Sequence, residues 1–136
     1  MEVATFKAAC AACGQEFLRP ELSDFAYGDF ILCTKSGSDF AHFSVIENPA
    51  CKLVEPQLPK GVKLTDVMAS LADPVSEEPL VSYPVCPTCQ SSKLAFWRGE
   101  QSGKREVLPA TFTQFLELSI SEQQLAVQEA VRRVAA

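Results

Sequence analysis

Two short cysteine pairs constrain this chain more than anything else in it: Cys10-Ala-Ala-Cys13 near its start and Cys86-Pro-Thr-Cys89 well past its middle. A C-x-x-C turn presents two sulfurs from one corner. A structural zinc ion takes four soft ligands in a tetrahedron, so two such turns complete one shell. The pattern predicts one structural Zn²⁺ held by Cys10, Cys13, Cys86 and Cys89. A filled four-sulfur shell leaves no position for water or substrate, so the expected metal is architectural. The 72 residues between Cys13 and Cys86 demand a folded insert. The competing reading is a redox pair, which needs its C-x-x-C at a helix N-terminus behind a buried strand. No clear helical pattern follows either pair.

The strands are read from alternation and from turn residues. Residues 2–8 alternate weakly and lead into the first knuckle. Gly14, directly after Cys13, suits the sharp turn that aims backbone N–H groups at thiolates. Residues 16–19 return as a strand ended by Pro20. The stretch 25–46 carries the best β signal: residues 30–34 and 40–46 form a hairpin around the turn 35–39. Asn48-Pro49 is read as a break, and 51–54 as a third short strand.

Residues 55–85 hold Pro56, Pro59, Pro74, Pro79 and Pro84 and read as a loop-rich, mobile insert. One or two helical turns are expected at 65–72, with Thr65 as N-cap and Val67, Met68 and Leu71 on one face. After the second knuckle, residues 93–98 and 104–108 read as a hairpin closed by the turn 99–103. A knuckle followed by a hairpin is the make-up of a zinc ribbon. The C-terminus reads as helical, with a short helix from about Thr111 and a second one behind a Ser121–Gln124 capping box. Val127, Ala130, Val131 and Val134 share a face of that second helix.

The expected fold class is therefore mainly β, α+β overall: antiparallel strands clamped by a two-knuckle Cys₄ zinc site, with a C-terminal helical segment. The domain reading is a zinc-clamped β unit over 1–110 containing the 55–85 insert, with 111–136 packed on it. At 136 residues and 47% hydrophobic composition, one core is affordable. No apolar run approaches the length of a membrane span, and the N-terminus lacks the basic start and apolar stretch of a signal peptide. The expected location is cytoplasmic, where thiols stay reduced and six cysteines point to metal rather than disulfides. Cys33 and Cys51 sit singly among apolar residues and read as buried thiols. The lone His42, between Ala41 and Phe43, reads as a core-edge or surface histidine.

Two C-x-x-C pairs flanking an antiparallel insert, with the Leu94-Ala95-Phe96-Trp97 strand after the second, resemble the β-tent group over residues 6–98. That group includes the Yippee-like and cereblon C-terminal domains, and the methionine sulfoxide reductase B fold is similar. The resemblance implies a zinc-pinned β fold. It does not carry over the cereblon-type ligand cage, which needs several Trp where this chain has Trp97 alone. Nor does it carry over the reductase chemistry, because no Cys follows Cys89 and the Gly-Trp-Pro-Ser-Phe segment is missing. A plain zinc ribbon fits the same residues.

Three functions compete. A net charge of −5 disfavours non-specific phosphate binding and favours a protein partner, which makes an adaptor or regulatory module the first expectation. The alternative is a nucleic-acid-binding ribbon that uses Lys93, Phe96, Trp97, Arg98, Lys104 and Arg105. An enzyme, including a reductase of the kind just named, is disfavoured. With one His, the candidate dyad is His42 with Cys33. The simplest register sets Thr34 against Phe40 and puts the two side chains on opposite faces.

Overall fold

The computed structural model describes residues 1–22 and 28–135; the 25–27 end of the predicted β stretch lies outside them. The element that organises the first sheet is strand β1 (Glu2–Cys10). Strand β2 (Glu16–Pro20) returns beside it, with Thr5 opposite Pro20 and Ala9 opposite Glu16. The other side of β1 is covered by β6 (Leu94–Phe96) and β7 (Gln101–Glu106), and both run antiparallel to β1.

Here the structure corrects the sequence reading. Residues 93–108 do not fold back on themselves as a hairpin. Leu94 faces Cys10, Gln101 faces Phe6 and Glu106 faces Glu2, so β6 and β7 follow one another along the same edge of β1. The expected turn is a bulge in a broken strand. It is stitched to β1 by Gly99 N–H donating to the Lys7 carbonyl (2.7 Å) and Lys7 N–H to the Glu100 carbonyl (2.9 Å). A Cβ on Gly99 would sit 3.1 Å from the Lys7 carbonyl oxygen, which explains a small residue at this close approach.

The second sheet has the order β5-β3-β4-β8: β3 (Asp29–Thr34), β4 (Phe40–Ser44), β5 (Leu80–Ser82) and β8 (Leu108–Pro109). The β3–β4 hairpin forms as expected but one residue out of the expected register. Thr34 N–H donates to the Asp39 carbonyl at 3.0 Å, and the Thr34 hydroxyl accepts from the N–H groups of Ser38 and Asp39. The turn thus closes over four residues. Cys33 pairs with Phe40, Leu32 with Ala41 and Ile31 with His42.

That shift matters because side chains alternate along a strand. Leu32, Ala41 and Phe43 face one way and join a core with the helices. Cys33 and Phe40 face the other way and join Val3, Val85 and Val107 in a smaller core that also draws on the first sheet. The second sheet is therefore packed on both faces.

One helix lies where proline was read as a breaker. Residues 51–54 are not a strand. They belong to helix α1 (Pro49–Val54), where Asn48 is the N-cap, its side chain accepting from Ala50 N–H at 2.9 Å, and Pro49 takes the first helical position. That pairing is a start signal, since proline has no N–H to lose there. After a single 3₁₀ turn (Glu55–Gln57) comes helix α2 (Leu64–Leu71), which begins at Lys63 instead of at a Thr65 cap. Val67 and Met68 are fully buried, worth roughly 2–3 kcal/mol each by burial of apolar area.

The C-terminal segment holds helices α3 (Thr113–Leu116) and α4 (Ile120–Ala135). The capping box lies two residues earlier than expected. Ser119 N–H donates to the Glu122 carboxylate (3.0 Å), and Glu122 N–H to the Ser119 hydroxyl (3.2 Å). The Ser119 N–H, and after it the Ser119 hydroxyl, hold the Glu122 carboxyl below its usual range. Val127 and Ala130 are buried in the main core beside α2, so the amphipathic face of α4 is consumed within the chain. No helix among the described residues is long and apolar enough to cross a membrane.

Candidate metal centre

Both cysteine pairs come to the same end of β1. The first knuckle leaves the C-terminal end of β1 and returns as β2; the second leads into β6, which lies against the same residues, Ala9 and Cys10. Ala11 N–H donates to the Lys93 carbonyl at 3.0 Å and joins the two directly. The four sulfurs of Cys10, Cys13, Cys86 and Cys89 all lie within 4.8 Å of one another. Cys10 and Cys89 are 3.5 Å apart and Cys13 and Cys86 3.7 Å. Thiolates about 2.3 Å from a tetrahedral zinc stand about 3.8 Å apart, and a disulfide would need about 2.05 Å. The set is the right size for one ion, and all six cysteines are unbridged.

The two knuckles share one hydrogen-bond plan. Gly14 N–H donates to the Cys10 carbonyl, and Cys10 N–H to the Gln15 carbonyl, both at 3.0 Å. Gln90 N–H donates to the Cys86 carbonyl (2.8 Å), and Cys86 N–H to the Ser91 carbonyl (2.9 Å). The residue after each second cysteine sits in the left-handed region, Gly14 at φ +76° and Gln90 at φ +63°. Glycine takes that conformation freely; glutamine is strained there.

Hydrogen bonds and mutual proximity shift three of the sulfurs in different directions. The Cys13 N–H, with help from Ala12 N–H at 3.3 Å, pulls the Cys10 thiol down to about 6. Burial pushes the Cys86 thiol up, but the N–H groups of Cys89 and Thr88 outweigh it and leave it lowered. The Ser91 N–H pulls Cys89 down, yet the neighbouring sulfurs, Cys10 first, drive it up to about 12. Four thiolates this close cannot all ionise unaided, and a divalent cation is the natural compensation.

Two supports were invisible to motif reading. The β3–β4 turn braces the second knuckle: Gly37, at φ +79°, lies so close that a Cβ would meet the Val85 carbonyl at 3.0 Å and Pro87 at 3.2 Å. Arg19 of β2 ties the two halves together. It is 7% exposed, donates to the Trp97 carbonyl (2.6 Å) and to Glu21 (2.7 Å), and stacks over the rings of Tyr83 and Trp97. No local pattern marks either residue, because both act across long sequence separations.

The other candidates divide. Phe96 and Trp97 stand 42% and 55% exposed, Lys93 lies just before β6, and Lys104 lies on β7. Arg98 stacks on Phe6, 4.8 Å to its ring centroid. Arg105 turns to the β3–β4 turn, where it binds the Ser38 carbonyl, approaches Asp39 and lies over Phe40. It does not join a surface with Trp97.

The observed register puts Cys33 and His42 on the same face, contrary to expectation. Burial of Cys33, not strand geometry, is what holds its thiol neutral, pushed up to about 12 against a pull from Val85 N–H. Cys51 is buried in α1 and pushed up to about 11, by burial first and then by Glu55. His42 is lowered by burial and by the N-terminal charge against Asp29.

Compared with known protein families, curated proteins and solved structures, the chain matches none.

Proposed function

We propose that this chain is a small structural-zinc protein that works as a protein-interaction module, an adaptor or regulator in a reducing, cytoplasmic setting. The observation that carries the reading is the convergence of Cys10, Cys13, Cys86 and Cys89, whose sulfurs lie within 4.8 Å of one another, with Phe96 and Trp97 exposed on the segment that follows the second pair. A closed shell does no chemistry on a substrate, so the metal serves the fold and function falls to the surface it organises. Exposed aromatic side chains such as Phe96 and Trp97 are favoured anchors at protein interfaces. Affinity capture with the zinc-loaded chain tests this. The reading expects a partner retained by the natural chain and lost by Trp97→Ala; no partner above a tag control, from a monomeric folded chain, contradicts it.

A second reading is favoured by the same exposed aromatics lying close in the chain to Lys93, Arg98 and Lys104: a single-stranded nucleic acid whose bases stack on Phe96 and Trp97. The turning away of Arg105 and the net charge of −5 count against it. It expects binding that falls steeply with salt, and no gel shift at low salt ends it.

A further inference from the structure

We propose that the outer edge of β5 docks an extended segment of a partner protein, which adds as a further strand beside Leu80–Ser82 and brings an acidic side chain to Arg133. The site lies on the second sheet, away from Phe96 and Trp97, and stands or falls independently of the aromatic surface.

The register carries the argument. Lys35 N–H donates to the Pro79 carbonyl (3.0 Å), and the pairs continue as Thr34 with Leu80, Cys33 with Val81 and Leu32 with Ser82. In an antiparallel ladder, alternate residues turn their main-chain groups toward the neighbour. Val81 therefore serves β3, and the N–H and C=O groups of Leu80 and Ser82 point outward from the sheet. Among the described residues no hydrogen bond reaches them.

The edge opens on a groove of about 750 Å³ between β5, α2 and the end of α4. Two outward residues separated by one inward residue are the spacing that a single extended chain satisfies. The walls, α2 on one side and the Pro74 and Pro79 turns on the other, recess the edge, so it admits one strand and resists stacking of whole sheets. Charge narrows the occupant. Asp66 is held by the Ser82 hydroxyl. Arg133 binds the Ser70 hydroxyl (2.7 Å) and comes only within 3.8 Å of Glu129, its side chain 56% exposed, which leaves donors for a carboxylate.

The test selects phage-displayed random peptides, about twelve residues long, against the full zinc-loaded chain, and maps the enriched peptides by amide chemical shifts. The expected result is acidic peptides that move the Leu80 and Ser82 amides. N-methylation along such a peptide should cost about tenfold in affinity at every second residue and little at the residues between. This scan needs no variant that could misfold. Arg133→Gln should weaken binding several-fold, and Trp97→Ala should leave it unchanged. The proposal is overturned by no enriched peptide, by shifts elsewhere, by N-methyl sensitivity without a period of two, or by a chain that dimerises through β5 and so fills the groove with its own copy.

Discussion

The two cysteine knuckles make the same turn by different means. The first relies on its own sequence. Gly14 accepts the left-handed turn without strain, and a Cβ there would meet nothing within 4 Å. The second carries Gln90 at the equivalent point and is braced from outside by the Gly37 turn. One knuckle is locally encoded; the other is held in shape by tertiary contact. The difference teaches that a motif's strength in sequence need not match its rigidity in the fold.

The largest effect should come from breaking the feature the knuckles share. Either Cys13→Ser or Cys86→Ser removes a ligand, and structural zinc is worth about 10–16 kcal/mol of apparent binding energy in small domains. Both variants should lose zinc and much of their thermal stability, with hydrogen exchange rising first in β1 and β6. Unequal zinc loss between them would show that the two halves do not share one ion.

The next two changes separate the knuckles. Gly37→Ala meets both a left-handed φ and backbone atoms, so it should cost about 1–3 kcal/mol and weaken zinc binding through the second knuckle. Gly14→Ala meets the φ cost alone, about 1 kcal/mol. Equal losses in chelator-monitored unfolding would erase the contrast. Gln90→Gly should move the opposite way and stabilise by a few tenths to about 1 kcal/mol, because it relieves the strain at φ +63°. A destabilised glycine variant would mean that the Gln90 side chain, which donates to the Pro87 carbonyl at 3.3 Å, matters more than its backbone.

The last change is a control away from both knuckles. Asp73 accepts from the Thr111 hydroxyl and from the N–H groups of Thr113 and Gln114, and so caps α3 across the chain. Burial raises its carboxyl, and these bonds outweigh that and leave it lowered from 3.8. A depressed folded value means that the stabilisation is present above the unfolded pKa and drains away as pH falls below about 4. Asp73→Ala should cost about 1 kcal/mol at neutral pH, flatten the acid limb of the stability curve and leave zinc affinity alone.

The features that were legible are those with a local signature in the sequence. The two C-x-x-C turns, β1, β2 and the β3–β4 hairpin follow from turn chemistry and alternation, and so does the buried face of α4. Long-range pairing was not legible. Gly99 and Gly103 look like a hairpin turn until β1 supplies a common partner for both flanking segments. The one-residue register shift came from Thr34, whose hydroxyl organises the turn and tightens it. Asn48-Pro49 was legible but misread, since an Asn cap before proline starts a helix as readily as it ends a strand. Arg19, Gly37 and the β5 edge act only through contacts that the chain order does not announce.

The most direct test of the clamp is metal content measured with stepwise thiol titration. The account predicts one zinc per chain and no fast-reacting thiol in the native protein. A chelator should then release four thiols, those of Cys10, Cys13, Cys86 and Cys89, while Cys33 and Cys51 react only in denaturant. A metal-free native chain, or a disulfide across either C-x-x-C pair, would contradict it.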